Sequence, residues 1–495
     1  MDKIHLLFPK KIGTVRPEIY GVFAEHIGGC IYDGIYCGKD SPAENIDGFR
    51  TFIIEHLRKI GTKVIRWPGG CFAETYDWRD GIGPREKRPV RRNWWTNFDN
   101  RYETNEVGTD EFMRFCELCD ADAYFAANIT STTPLDIRDW MDYCLSPENT
   151  TTLAKLRAEN GHPAPYKIPY WGVGNETWGG GGDMTPEQYA HAYRRYAALM
   201  HNMDPKAQLI GSGANNNDYN WTLDFLRVFR TGTVRKMNGL AFHYYCGKSG
   251  DCVDFTTEQW YDLLTKASKM EERVVRHYAY AEAMGFTKEA ALVIDEWGAW
   301  HPDGSGPSKG YNLFEQQSTM RDAMISAITL NIFNNHCEKI KLCAVAQLVN
   351  NLHALFLAGG EYCITTPTYH VFDLFHAHHN KNAVQTVCDC PTVGEENLPM
   401  LSVSASEKDG RAVVTVANLS AEEARTVQLI PAASRLGCKA DIRLLHHDDI
   451  HAHNTFEQPD NVKPVDYTIE HFDGIVEVPA GSVMALEFDL EDIAF

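Results

Sequence analysis

Eight short apolar runs recur along the chain as far as residue 350, and they constrain its fold more than any other feature. They are GVFAEHI (21–27), VIRWPGG (64–70), DAYFAANI (122–129), YWGVGNE (170–176), QLIGSGAN (208–215), GLAFHYY (239–245), ALVIDEW (291–297) and CAVAQLVN (343–350). Each is nearly continuous rather than alternating, the pattern of a parallel strand buried on both faces. Helical patterns separate them. DGFRTFIIEHLRKIG stops at a capping-type glycine, Gly61, and TPEQYAHAYRRYAALMHNM opens with a threonine and a proline. TEQWYDLLTKASKMEERVVRHYAYAEAMG reads as one long amphipathic helix, and EQQSTMRDAMISAITLNIFNNH precedes the eighth run. Eight strand–helix units predict the α/β class, as a (β/α)8 TIM barrel with long loops.

The texture changes after His379. VSASEKDGRAVVTVANLS and DGIVEVPAGSVMALEFDL alternate apolar and polar residues between DG and AG turns, which predicts a C-terminal antiparallel β-sandwich domain. The expected division is a catalytic barrel over 16–379 and the sandwich over 380–495. An N-terminal strand over 1–15, containing KIHLLF, is expected to join the sandwich. A chain of 495 residues is long enough for both cores.

The formal net charge of −20 argues against a general grip on nucleic acid or an anionic membrane, both of which need basic surface. No apolar stretch reaches the length of a membrane span, and the run near the N-terminus is too short and interrupted for a signal peptide. The fourteen cysteines form no framework pattern. The close pair Cys116 and Cys119 has no second pair to complete a zinc site and reads as core thiols. Unpaired cysteines without an export signal predict a cytoplasmic protein.

Polar and aromatic residues gather where the strands end: Glu25-His26, Asn128, Asn175-Glu176, Asn215, His243-Tyr244-Tyr245, Asp295-Glu296-Trp297, Gln347 and Asn350. Those ends build the active face of such a barrel. Glu176 closes the fourth run and Glu296 falls in the seventh, so in one barrel they face each other across the mouth. Two opposed carboxyl groups are what hydrolysis of a glycosidic bond requires: a protonated one for the leaving oxygen and an ionised one to attack the anomeric carbon. Asn175 is placed to bond a sugar hydroxyl. Tyr245 is placed to donate to Glu296 and keep it ionised. Trp178, Trp297 and Trp300 offer apolar faces to sugar rings. His243 reads equally well as a pocket residue or as a core histidine bonded to backbone. Gly179–Gly182 lacks the spacing and the lysine of a phosphate loop and reads as a tight turn free of side chains.

Five segments, RWPGGCFAETYDWRDGIGPR, YWGVGNETWGGGGDMTPEQYA, GLAFHYY, VIDEWGAW and TPTYHVF, resemble glycoside hydrolase family 51, the α-L-arabinofuranosidases. The resemblance runs over nearly the whole chain. It implies a retaining exo-acting enzyme that needs no metal or organic cofactor. By position it implies Glu176 as acid/base, Glu296 as nucleophile, Glu25 as the glutamate holding sugar hydroxyls and Asn175 on the 2-hydroxyl. Tyr245 and Gln347 match pocket-lining residues. Cys71 falls where several members have asparagine; its thiol bonds more weakly. The resemblance implies a homo-oligomer, often a hexamer, acting on arabino- and arabinoxylo-oligosaccharides.

Three rivals remain at this level. One is an endo-β-glucanase-like member of the same family, with an open cleft. The long loop 78–108 decides between cleft and pocket. Another is a non-catalytic carbohydrate-binding protein, against which the joint presence of Glu176 and Glu296 counts. The third, a barrel isomerase or lyase on a phosphorylated substrate, needs an anion site that the eighth strand end does not supply.

Overall fold

The structure, a computed structural model, describes residues 1–95, 102–233, 236–287, 290–302, 305–306 and 313–491. All eight apolar runs become strands of one closed barrel. In barrel order they are Gly21–Phe23, Val64–Trp67, Asp122–Ala127, Tyr170–Val173, Gln208–Gly211, Gly239–Gly247, Ala291–Trp300 and Ile340–Ala346, each hydrogen-bonded to its sequence neighbour and the eighth closing on the first. Every adjacent pair is parallel. The floor is an apolar layer in which strands two to eight each contribute one buried residue: Val64, Tyr124, Tyr170, Ile210, Ala241, Val293 and Leu342.

The helices follow their sequence signals. Thr185 caps Pro186–Met203, its hydroxyl accepting from the Gln188 N–H while the Gln188 side chain bonds back to the Thr185 N–H. Thr51–Lys59 ends before Gly61, whose φ of +64° suits glycine. One reading changes. The stretch expected as a single long helix is two, Thr257–Ser268 and Met270–Ala283. The first tightens at its end, where the Lys269 N–H bonds the Lys266 carbonyl at 3.1 Å, and the axis restarts there.

The remaining strands form one nine-stranded sheet that folds over a core of its own, including Ile4, Leu6, Val414, Val416, Val427, Ile442, Leu486 and Phe488. Asp2–Thr14 lies inside it, antiparallel to Asn382–Asp389 and parallel to Arg425–Pro431. Helix Met320–Asn335 joins the two bodies and is buried on every side but its last residue. Its far face is polar and hydrogen-bonded to the sheet: Asn331 and Asn334 donate to the Ser402 and Ser404 hydroxyls, and Thr415 donates back to Asn331.

Candidate active site

The site forms where the strands stop. Barrel strand four ends at Val173, and the chain turns through Gly174 at φ +86° and Glu176 at φ +38°. A left-handed backbone is uncommon for glutamate. It re-aims the side chain toward the barrel axis. The turn continues through the glycine run. A Cβ on Gly181 would fall 1.7 Å from the Asn175 carbonyl, so this position accepts no side chain.

Barrel strand seven carries Asp295 and Glu296 in succession, and in a regular strand they would face opposite sides. The ladder shifts here: Ala241 pairs with Val293 but His243 pairs with Glu296, two residues against three. This bulge turns both carboxylates inward. Trp297 then points outward. It is 1% exposed and packs with Phe333 and Phe372, its ring nearly parallel to Phe372 at 6.1 Å. Trp297 therefore belongs to the core, against the expectation that it offers a face to sugar.

Glu296 is held from two directions. Arg66 Nη1 donates to its Oε1 at 2.9 Å; Tyr245 OH donates to its Oε2 at 2.9 Å, and only this second bond was expected from the sequence. The same guanidinium reaches the Asp295 carbonyl and, through Nη2, the Asn175 Oδ1 at 2.6 Å. Arg66 thus ties barrel strands two, four and seven together. Asp295 anchors the network from below, taking the Tyr124 hydroxyl at 2.6 Å and His243 Nε2 at 3.1 Å.

His243 is no backbone-bonded core histidine. Its Nδ1 lies 2.8 Å from Glu176 Oε1 and 3.4 Å from Glu296 Oε2, so one ring nitrogen faces both carboxyls. One oxygen of Glu176 and one of Glu296 approach within 4.8 Å of each other. By donor type these three residues form a possible cation cluster. An arginine already occupies Glu296, however, and a protonated imidazole has no lone pair to offer.

Burial alone would lower the His243 pKa. The Glu296 charge and the hydrogen bonds to Asp295 and Glu176 outweigh it and raise the pKa to about 10, so the ring is cationic. Burial likewise opposes ionisation of Asp295, but Arg66 and His243 hold its carboxyl well below the usual range. Burial pushes Glu296 up, His243 and Arg66 pull it back, and the charge of Glu176 adds to the upward push. The side chain of Glu176 is 18% exposed against 9% for Glu296, so Glu176 is the more open of the two.

Glu25 and Gln347 pair reciprocally: Gln347 Nε2 donates to Glu25 Oε2 at 2.9 Å, and the Glu25 N–H donates to Gln347 Oε1 at 3.0 Å. Gln347 therefore orients Glu25 and is itself buried. Glu25 Oε1 also accepts from the Phe72 N–H and Trp95 Nε1. Burial, helped by the Glu296 charge, lifts Glu25 to about 7. The Asn175 Nδ2 is buried and has no hydrogen-bond partner among the described residues, which leaves a donor beside the two carboxyls. A Cβ on Gly70 would meet that nitrogen at 3.3 Å and Glu296 Oε1 at 2.7 Å, so the glycine keeps this space open. Cys71 Sγ sits 3.9 Å from Glu176 Oε2, and burial with the neighbouring carboxylates keeps it a thiol.

The rim is aromatic. Trp94 and Trp95, then Phe314, Trp300 and Tyr245, follow edge to face at centroid distances of 6.4, 5.9, 4.8 and 5.3 Å. The 78–108 loop supplies the first two, and Asn93 pins it by donating to the His26 carbonyl at 3.0 Å. Residues 96–101 of this loop lie outside the described residues. Trp178 is half-buried at the other side of the mouth and lines a cavity with Asn215 and Trp221.

Two groups escaped the sequence reading. Arg66 stands in an apolar run, and a buried arginine demands carboxylate partners, a signal that was available. Glu74 is fully buried; its carboxylate accepts from the N–H groups of Asn175 at 2.6 Å and of Ile129 and Thr130 at 3.0 Å each. It clamps the ends of barrel strands three and four together. Nothing in CFAET announces this.

Two family models match the chain: the α-L-arabinofuranosidase 1 domain over residues 56–254 and the α-L-arabinofuranosidase C-terminal domain over 295–482. An intracellular exo-α-L-arabinofuranosidase of Bacteroides ovatus is 36% identical over 96% of this chain and 93% of its own length. The crystal structure of the GH51 arabinofuranosidase from Xanthomonas axonopodis pv. citri superposes with a TM-score of 0.91 at 34% identity, covering 99% of this chain and 100% of that one. The arabinose complex of the Thermotoga maritima α-L-arabinofuranosidase superposes at 0.87 and 28% identity, with the same coverage of both chains.

Proposed function

This chain belongs to the α-L-arabinofuranosidases of glycoside hydrolase family 51, and from that premise we propose that it removes terminal arabinofuranose with retention, Glu296 serving as nucleophile and Glu176 as acid/base. The observation that carries the mechanism is the approach of the two carboxyls to within 4.8 Å, with Arg66 and Tyr245 on Glu296 and the more open position left to Glu176. Retaining enzymes hold these groups about 5–5.5 Å apart, and inverting ones about 6.5–9.5 Å, to admit a water.

In the first step a carboxylate oxygen of Glu296 bonds to the anomeric carbon. The bond to the leaving oxygen breaks, and that oxygen takes the proton of Glu176. The product is an arabinofuranosyl ester of Glu296. In the second step Glu176, now ionised, takes a proton from water, the hydroxide adds to the anomeric carbon, and the ester bond returns its electrons to Glu296. Arg66 and Tyr245 steady the charge that Glu296 regains. Asn175 Nδ2 donates to the sugar hydroxyl next to the reacting carbon, and Glu25, held by Gln347, accepts from hydroxyls further along the ring. His243 lines the pocket between the carboxyls. Cys71 and Trp178 border the leaving-group side of Glu176.

The aromatic rim from Trp94 to Tyr245 supports a closed pocket and an exo mode over the open cleft of an endo-glucanase. The same reading makes the enzyme a cytoplasmic homo-oligomer acting on imported arabino- and arabinoxylo-oligosaccharides. The intracellular exo-α-L-arabinofuranosidase of Bacteroides ovatus supports the compartment, and no helix among the described residues is long and apolar enough to cross a membrane. Light scattering of the purified protein tests the oligomer.

The decisive experiment is hydrolysis of aryl α-L-arabinofuranoside, β-xyloside, β-glucoside and β-galactofuranoside, with the first-formed anomer read by NMR. Cleavage of the arabinofuranoside with α-arabinofuranose appearing first is expected. The β anomer appearing first overturns retention, and preference for the glucoside overturns the specificity.

A further inference from the structure

Two cavities flank the mouth and meet at Asn216. The one of about 440 Å³ holds Trp178, with Asp183 and Asp218 in its lining. The other, of about 720 Å³, touches the active site through Tyr245 and Trp300 and is lined by Lys248, Lys266, Lys269 and Arg273, with no carboxylate among the described residues of its lining. In a chain of net charge −20, cations concentrated beside the site demand a reason.

Arg273 is a built group. It is 7% exposed, and its guanidinium lies over the Tyr244 ring at 4.5 Å. Nε donates to Asn216 Oδ1 and Nη1 to the Lys269 carbonyl, both at 2.9 Å, while Nη2 has no partner among the described residues. Lys248 is exposed and likewise has no partner there. Three carboxylates partly offset the patch: Asp262 on Lys266 at 2.7 Å, Glu396 on Lys269 at 3.3 Å and Glu272 on Arg273 at 3.5 Å. Their side chains are 45–60% exposed and none of them lines the groove. The groove is thus lined by Arg273, whose guanidinium is fixed through Nε and Nη1, by Lys248 and by Trp300.

We propose that this groove is a subsite for a uronic acid residue carried by the oligosaccharide whose arabinose is removed. The cavity is large enough for a sugar ring. An oriented guanidinium edge with a nearby ammonium is the donor set that a carboxylate takes. Tyr245, which bonds Glu296, joins the groove to the reacting centre, so the uronate is bound while the arabinose is in the pocket. The inference rests on the arabinofuranosidase reading above.

The test uses two arabinosylated xylo-oligosaccharides that differ in one group: a glucuronosyl substituent, and the same substituent after reduction of its carboxyl to a neutral alcohol. For the native enzyme the uronate substrate should have a kcat/KM about tenfold higher, as a partly buried charge-assisted contact allows, and about 0.5 M sodium chloride should shrink that ratio. Lys248→Ala and Arg273→Gln should each bring the ratio toward one. Lys248 is exposed, so its variant tests the groove even if Arg273→Gln fails to fold. A ratio of one in the native enzyme, or an unchanged ratio in both variants, overturns the subsite. If the enzyme cleaves neither saccharide nor an aryl arabinofuranoside, the activity reading falls. The groove is then judged by calorimetric binding of the two saccharides, where equal Kd values overturn it.

Discussion

The floor and the mouth of the barrel lie one side chain apart and are built on opposite principles. The floor is a layer of aliphatic and aromatic residues that gains stability by excluding water. The mouth buries Glu25, Arg66, Glu74, Asp295 and Glu296, each less than 10% exposed. Burying charge is unfavourable unless every group is paired. Tyr124 spans the boundary: its ring packs against Tyr170 in the floor and its hydroxyl donates to Asp295 in the mouth. The floor accordingly supplies the rigidity that lets the mouth hold two carboxyl groups within 4.8 Å of each other.

If that division of labour is right, substitutions in the mouth should cost activity and spare stability, and substitutions in the floor should do the reverse. The largest effect belongs to Glu296→Ala. Loss of a nucleophile should lower kcat on an aryl arabinofuranoside by about 10⁴-fold or more, with a melting temperature near native, because relief from neighbouring carboxyl charge offsets the lost partner of Arg66, which keeps Asp295. A marked drop in melting temperature would break the comparison. Next comes Glu176→Ala. It should lower turnover of oligosaccharides by about 10³-fold and of activated aryl substrates far less, since these need little protonation. Equal losses on both would remove Glu176 from the acid role.

In the floor, Leu342→Ala should destabilise by about 2–5 kcal/mol through the cavity it leaves, while the kcat of the folded fraction stays near native. Smaller again is Glu74→Gln. The amide brings a donor to a site filled with N–H groups, which loosens the Asn175–Glu176 turn. Oligosaccharide turnover should fall about tenfold, with a smaller loss on aryl substrates. A uniform loss on both would make Glu74 a fold residue only.

The smallest effect is on pH. Burial raises Glu25 and Glu74 from 4.5 to about 7. A carboxyl raised in this way binds its proton more tightly in the folded chain than in the unfolded one. The stability it contributes is whole below about 4.5 and is lost as pH rises through about 7. The melting temperature should therefore decline between about pH 5 and 8, by a few degrees less in Glu25→Gln and Glu74→Gln than in the native protein. His243, raised from 6.5 to about 10, adds a further loss that begins near 6.5, inside that window, and continues to about 10. A melting temperature that climbs across the window would overturn the burial argument for both groups.

The fold was legible because eight buried parallel strands leave eight continuous apolar runs. The meeting of Glu176 and Glu296 across the mouth was legible because polar residues at such strand ends have few structural reasons to be there. What stayed hidden depended on register. Period-two reasoning could not foresee the bulge between Val293 and Glu296, and that bulge makes Asp295 an inward anchor and sends Trp297 into the core. Glu74 was hidden for another reason. The bonds that fix it run to backbone N–H groups just past the ends of barrel strands three and four, and no side-chain pattern reports contacts of that kind.

The strand Asp2–Thr14 has a consequence for how the molecule is made. Its partners are Asn382–Asp389 and Arg425–Pro431. It leaves the ribosome hundreds of residues before either partner exists, a wait of roughly half a minute at ordinary rates of synthesis. During that interval a segment with three apolar residues destined for the interior, Ile4, Leu6 and Phe8, has nothing to pair with. The barrel can close in the meantime, but the sheet cannot be completed until the other end of the message has been read. A nascent chain stalled anywhere in between would display a sticky, unsatisfied strand, which makes this early segment a natural hold for a chaperone and the place where a truncated product would first betray itself.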